Sequence, residues 1–161
     1  QLVEGAHRDA EEALRTLRAT VSGIHPQVLT DRGLHAAVAE MVERSGLDVK
    51  LRCPHPLPDM PEDVAAVAWF FCSEALTNIA KHAPKARATL LLAADQALRV
   101  SVMDDGPGGA YLREDGGLIG MRERLAAFGG SMELSSPSGG PTTVAAHIPL
   151  LLAPSEEREE S

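Results

Sequence analysis

Apolar residues recur along this chain at two different periods, and each change of period marks an element. In "HRDAEEALRTLRATVSGIHP", Ala10, Leu14, Leu17 and Val21 fall at three- and four-residue steps, the spacing of one apolar helix stripe. Pro26 ends that pattern, because a proline inside a helix lacks the N–H and clashes with the preceding turn. "TDRGLHAAVAEMVERSG" predicts a second helix, with Thr30 or Asp31 as its cap and Gly46 as its stop. "LDVKLRC" alternates Leu47, Val49 and Leu51 with polar residues, the signature of a half-buried strand. Four prolines in "PHPLPDMP" make the next segment a connecting loop.

A long helix is predicted over "EDVAAVAWFFCSEALTNIAKHA", starting just after Pro61. "ARATLLLAA" and "ALRVSVMD" are β-like runs separated by Asp95-Gln96, a hairpin signal. "DGPGGAYLREDGG" is a glycine-rich loop, and "LIGMRERLAAFGG" is a helix ending at a glycine pair. "SMELSS" and "TTVAAHIPL" are strands joined by "PSGGP". No internal repeat is apparent.

Strands joined by tight turns pair antiparallel. Helices mixed with such a sheet predict an α+β fold, a two-layer sandwich with helices over one face. A doubly wound parallel sheet is disfavoured, because the hairpins leave no room for a crossover helix. The helix before Pro26 comes too early to belong to the sandwich. It reads as one arm of a helical hairpin, which divides the chain into residues 1–27, a main domain over 28–150, and an acidic tail over 151–161.

Composition narrows the chemistry. With 161 residues, 44% apolar and 24% charged, the chain has the size and content of one soluble globular domain. Its net charge of -8 lacks the clustered Lys and Arg that neutralise phosphates along a nucleic acid, so no direct nucleic-acid binding is expected. Cys53 and Cys72 form no metal-type pair and no disulfide framework, and a reducing cytoplasm is the expected setting. No apolar run approaches the roughly 20 residues that span a bilayer, and no signal peptide is visible. The sequence begins at Gln1, so it reads as a piece of a longer protein, with any membrane anchor expected in missing segments.

Three stretches carry candidate chemistry. At about 100° per residue, Glu74 and Asn78 differ by about 40°, Asn78 and His82 by about 40° more, and Lys81 falls about 20° on the other side of Glu74. Ala68, Cys72, Ala75 and Ile79 form the adjacent apolar face. An amide oxygen near a carboxylate suits Mg²⁺, which prefers hard oxygen ligands and shares itself with substrate phosphates. Lys81 adds a positive charge for phosphate. A solvated helix face gives the same spacing.

In "VMDDGPGG", a strand ends at Met103, and Asp104, Asp105, Gly106, Gly108 and Gly109 follow. Glycines let a backbone approach a ligand closely, and a carboxylate there can accept a hydrogen bond from an exocyclic amine such as that of adenine. A plain Asp-Gly-Pro turn reads the same way. In "EDGGLIGMRERL", Gly116, Gly117 and Gly120 precede or open a helix, whose free N–H groups favour phosphate; an ordinary loop before a helix fits equally. Neither a P-loop nor a dinucleotide fingerprint matches.

Taken in this order, the three stretches resemble the catalytic, ATP-binding part of two-component sensor histidine kinases, in particular the subfamily of the nitrate sensors and the membrane-fluidity thermosensor. Glu74-Ala-Leu-Thr-Asn78-Ile-Ala-Lys81-His82 resembles the family's N box, Asp104-Asp-Gly106-Pro-Gly108 its first glycine box, and Gly117-Leu118-Ile-Gly120-Met121-Arg-Glu-Arg124 its second. Gly139-Gly-Pro-Thr142 resembles its last hairpin, and "LRATVSGIHPQVLTDRGLHAAV" the link from the second dimerisation helix. The resemblance covers nearly the whole chain.

It implies a Bergerat ATP-binding fold, a mixed sheet with three helices over one face. It also implies ATP and Mg²⁺ as ligands and a response regulator as the downstream partner. Asn78 would hold Mg²⁺ and Glu74 would act as the catalytic polarising group. Lys81 and His82 would neighbour the phosphates, and Asp104 would read adenine. Gly106 and Gly108 would hinge a lid. Gly117 and Gly120 would bring backbone amides to the phosphates, Leu118 and Met121 would join the cofactor-binding set, and Thr142 would support the Asp104 end through its hydroxyl.

Three departures stand out: Asp115 and Pro141 replace common glycines, and the family's phosphoacceptor run is missing. His7, His25, His35, His55 and His147 all lack its context. The phosphate is therefore expected to go to a histidine of the parent protein, on a dimerisation helix supplied with a homodimer partner. Alternative readings are a stand-alone regulator of the same fold, such as a serine kinase acting on an anti-sigma partner, or a degenerate interaction module.

Overall fold

The computed structural model describes residues 25–110 and 117–150. The expected first helix, the acidic tail and Asp115 lie outside these residues. Elements follow in the order α1 (Gln27–Ser45), β1 (Asp48–Arg52), α2 (Glu62–His82), β2 (Arg87–Ala94), β3 (Ala97–Asp104), α3 (Gly117–Ala127), β4 (Ser131–Ser135) and β5 (Thr142–Pro149).

The five strands form one sheet in the order β1-β2-β3-β5-β4. β2–β3, β3–β5 and β4–β5 pair antiparallel. β1 joins β2 parallel, and α2 supplies the crossover that such a pair needs. The sheet is therefore mixed, and the α+β sandwich expected from the sequence is the observed class. Alternation decides which face is covered. Leu90 and Leu92 of β2, Leu98, Val100 and Val102 of β3, and Val144, Ala146 and Ile148 of β5 share one buried core. Ala37 and Val38 of α1, Phe71, Cys72, Ala75 and Ile79 of α2, and Met121 and Leu125 of α3 meet them there. Each such Leu or Ile contributes roughly 1.5–3 kcal/mol by leaving water. Among the described residues no element covers the opposite face, where Met103 is exposed.

One boundary departs from expectation. α1 starts at Gln27, with Pro26 in the cap position, rather than at Thr30 or Asp31. Thr30 is drawn into a tertiary contact instead: its hydroxyl donates to Glu62 Oε1 at 2.9 Å, and His25 Nε2 lies 2.7 Å from the same oxygen. These bonds tie the start of α1 to the start of α2 and hold the Glu62 carboxyl below its ordinary pKa, the Thr30 bond first and the His25 bond second. α1 is also not one continuous helix. Gly33, at φ 86 and ψ 178, breaks it, in a conformation that residues with a Cβ rarely adopt. Gly46 stops α1 in the left-handed region, as the sequence predicts. The β2–β3 hairpin closes on Asp95, whose carboxylate accepts the Ala97 N–H at 3.0 Å.

Candidate functional site

The sheet's alternation aims Asp104 inward. Asp104 is the last residue of β3 and shares parity with Leu98, Val100 and Val102, so its side chain faces the helix layer and is buried. It pairs in register with Ala88 on one side and Thr142 on the other. Val49 of β1 extends the same row. Asp104 Oδ1 accepts the Gly106 N–H at 2.9 Å, which turns the chain sharply out of the strand. Asp105, one residue on, points the other way. Its carboxylate accepts the Arg87 N–H at 2.7 Å and its own N–H donates to Arg87 O at 3.0 Å, so it clamps the start of β2.

The polar stripe of α2 runs alongside. Val64, Ala68, Phe71, Cys72, Ala75 and Ile79 are buried, while Glu74 and Asn78 are half-buried and Lys81 and His82 are exposed. Among the described residues no side chain or backbone group hydrogen-bonds the Asn78 amide. Burial in the apolar face pushes the Cys72 thiol up to about 12, so it is a packing residue.

α3 meets this stripe head-on. Gly117 is its first residue, and a Cβ at Gly117 would collide with the Glu74 carboxylate, reaching 2.5 Å from its Cδ. The glycine lets Glu74 lie against the helix N-terminus, where a negative charge is favoured. Below this contact, Arg124 stacks over Phe70 with 5.1 Å to the ring centroid. Met121 and Leu125 anchor α3 in the core. Met121, expected in the cofactor-binding set, is 5% exposed and packs in the core. Leu118 is half-buried against the same core, and Gly120 is exposed with open space around it.

The glycines after Asp104 serve close backbone approach. A Cβ on Gly106 would sit 2.7 Å from that of Ala83 at the end of α2. Gly108 adopts φ 68, and a Cβ there would strike Pro137 O and lie 2.7 Å from Gly140 N. Gly140, at φ 84, backs onto Gly106 O in the same way. The first glycine loop and the β4–β5 turn therefore interlock. The hinge expected of Gly106 and Gly108 falls at positions packed tightly on both sides. Gly139 and Gly140 supply the turn's positive φ, so Pro141 stands where that freedom is not required.

Thr142 pairs in register with Asp104, and its hydroxyl lies 2.6 Å from Ser136 Oγ. Ser136 was not singled out from sequence, although it and Thr142 bracket the "PSGGP" turn. A cleft of about 490 Å³, lined by Ala83, Pro84, Lys85, Asp105, Gly106 and Gly139 among others, opens beside this end. It touches the candidate residues only at Gly106. Among the described residues no group of three His, Cys, Asp or Glu side chains converges as a metal cage, and no helix is long and apolar enough to cross a membrane.

No protein-family model matches the chain. It is 30% identical over 155 residues to the sensor histidine kinase YxjM of Bacillus subtilis, covering 94% of this chain and 38% of that protein. It is 29% identical over 153 residues to the nitrate/nitrite sensor protein NarQ of Escherichia coli, covering 89% and 26%. The chain thus spans well under half the length of the curated relatives it matches. The histidine kinase domain of the Erythrobacter litoralis EL346 blue-light activated histidine kinase shares its fold, with a TM-score of 0.54 at 23% identity, covering 73% of this chain and 61% of that one. Full-length ShkA, solved in complex with AMPPNP, also shares it, with a TM-score of 0.55 at 23% identity over 73% of this chain and 29% of that one.

Proposed function

We propose that this chain, a homologue of the sensor histidine kinases with the fold of their catalytic domains, binds ATP and donates its γ-phosphoryl group to a histidine of the parent protein, for relay to a response regulator. The observation that carries the proposal is the meeting of three sequence-distant segments: Glu74 of α2 against the first residue of α3, and Gly106, beside Asp104, against the end of α2. One end of the resulting surface offers a buried carboxylate suited to an exocyclic amine. The other offers a helix N-terminus suited to phosphate. The neighbour solved with AMPPNP supports the same ligand class.

The residues present fit a nucleotide with its cation. Asn78 is half-buried on the stripe, one turn beyond Glu74, and its amide makes no hydrogen bond within the described residues. It would hold Mg²⁺ through its oxygen, and the ion would neutralise charge on the phosphates during transfer. Lys81 and His82, one turn further, place positive charge and donors on the same side. Asp104, kept in place by the Gly106 N–H, would accept from the adenine amine and disfavour guanine, whose oxygen would face the carboxylate. Glu74 would polarise the incoming histidine. A dimerisation helix carrying that histidine, a homodimer partner and a response regulator are the partners this reading requires. Any contact with a membrane would come through the rest of the parent protein.

A fluorescent ATP analogue titrated with and without Mg²⁺ tests the reading. Saturable binding is expected, weakened at least tenfold in Asp104→Ala for every adenine nucleotide and weakened only with Mg²⁺ present in Asn78→Ala. No saturable binding by the unaltered chain sinks the proposal.

A further inference from the structure

We infer that Ser136 is a positioning residue for the adenine end of this pocket, an inference that rests on the nucleotide-binding reading above. Ser136 follows β4 directly and opens the β4–β5 turn. Its backbone oxygen accepts the Gly109 N–H at 3.0 Å. Its hydroxyl oxygen accepts the Ala110 N–H at 2.9 Å and lies 2.6 Å from the Thr142 hydroxyl. A serine oxygen has one proton and two lone pairs, so it satisfies the amide and the second hydroxyl at once. Thr142 in turn is the register partner of Asp104. One half-buried side chain thus joins the strand beside the adenine-reading carboxylate to the far end of the first glycine loop.

The surrounding backbone explains why that link matters. The loop from Gly106 to Ala110 and the turn from Pro137 to Gly140 interlock. Gly139 N–H donates to Pro107 O at 2.8 Å, and the glycine pair Gly108 and Gly140 is pressed against opposing backbone with no room for a Cβ. Such contacts hold two loops together only while both keep their shape. The Ser136 hydroxyl fastens the last residue of that stretch, Ala110. Without the hydroxyl, the Ala110 N–H loses its acceptor and the loop gains freedom that a nucleotide must then remove on binding, which weakens affinity without altering any contact to the ligand.

The test compares the unaltered chain with Ser136→Ala, Ser136→Thr and, as a control in the same turn, Ser138→Ala, whose side chain is exposed. Titrations with ATP, ADP and adenosine at a temperature well below melting are paired with amide exchange without nucleotide. Ser136→Ala should weaken all three ligands by the same factor, about five- to tenfold, as loss of one or two ordinary hydrogen bonds predicts. It should also speed exchange at Gly109 and Ala110 at least tenfold while leaving β2 unchanged. Ser136→Thr should restore both, and Ser138→Ala should change neither. A residue that merely stabilises the fold would lower the melting temperature and leave affinity intact. If Ser136→Ala unfolds, Thr142→Val removes the hydroxyl partner while keeping the Ala110 bond, and a two- to fivefold uniform loss of affinity is expected. Unchanged affinity in folded Ser136→Ala, or in Thr142→Val where that is the variant read, overturns the inference while the nucleotide reading stands. Absence of nucleotide binding by the unaltered chain overturns both.

Discussion

Replacing Gly117 by alanine gives the most direct probe of the contact between α2 and α3. Gly117 opens α3 and has no left-handed backbone requirement, so alanine by itself fits there and reduces the freedom of the unfolded chain, a stabilisation of about 0.4–1 kcal/mol. The obstacle is Glu74. The new Cβ would stand 2.5 Å from its Cδ and 3.2 Å from Oε2, and would overlap Oε1 outright. The carboxylate is the mobile end of the side chain, so it moves rather than the backbone. Moving it costs about 0.5–1.5 kcal/mol of rotamer strain and about 0.3–1 kcal/mol of favourable interaction with the helix N-terminus. The net effect of Gly117→Ala with Glu74 present is therefore near zero to about 1–2 kcal/mol of destabilisation, given the opposing gain. In a Glu74→Ala background the same substitution should stabilise by about 0.5–1 kcal/mol. Urea unfolding of the four proteins gives the coupling directly, expected to be on the order of 2 kcal/mol. A coupling below about 0.5 kcal/mol, the level at which separate sites add, would refute the contact. In function, Gly117→Ala should depress phosphoryl transfer to the parent histidine well over tenfold while adenosine affinity holds, since Asp104 is untouched.

Other outcomes follow from the same geometry. Asn78→Ala should abolish Mg²⁺-dependent ATP binding and leave far-UV circular dichroism unchanged; unaltered affinity with Mg²⁺ would count against its role. Gly108→Ala combines a positive φ with a backbone collision, where no side chain can yield, and should destabilise by roughly 2 kcal/mol or more by overpacking, read as a lowered urea midpoint. The buried Cys72 thiol, pushed up to about 12, should resist alkylation at neutral pH until the chain unfolds, whereas rapid labelling of folded protein would show the core to be open. Glu62 has its carboxyl lowered by Thr30 and His25, so its contribution is present above the unfolded pKa of about 4.3 and lost as pH falls through the folded value. The stability difference between the native chain and Glu62→Gln should therefore shrink on acidification through that range, and a constant difference across it would show that the carboxylate is not held.

Local pattern determined most of the elements. The β-like runs became β2, β3 and β5, with Leu90, Leu92, Val100, Val102 and Ile148 at every second position on the buried face, and any register that buries one of them buries its set. The apolar stripe of α2 likewise predicted which of its residues face the core. The glycines after Asp104 were legible as a turn or as a close backbone approach to a ligand. The resemblance to sensor histidine kinases rested on the same ordered residues.

Pairing between distant segments lay beyond such reasoning. The parallel partnership of β1 with β2 depends on the α2 crossover, not on either strand's residues. Thr30 left its expected capping role because Glu62, remote in sequence, offers a carboxylate within reach. Asp104 and Asp105 look alike on paper, yet the pleat of the sheet turns the first toward the helix layer and the second onto Arg87. Gly117 reads as a helix start until Glu74 occupies the space its missing Cβ leaves. Ser136 is an ordinary turn residue until two loops and a strand converge on its hydroxyl. In each case the deciding term is a contact across the chain, whose distance only the folded backbone sets.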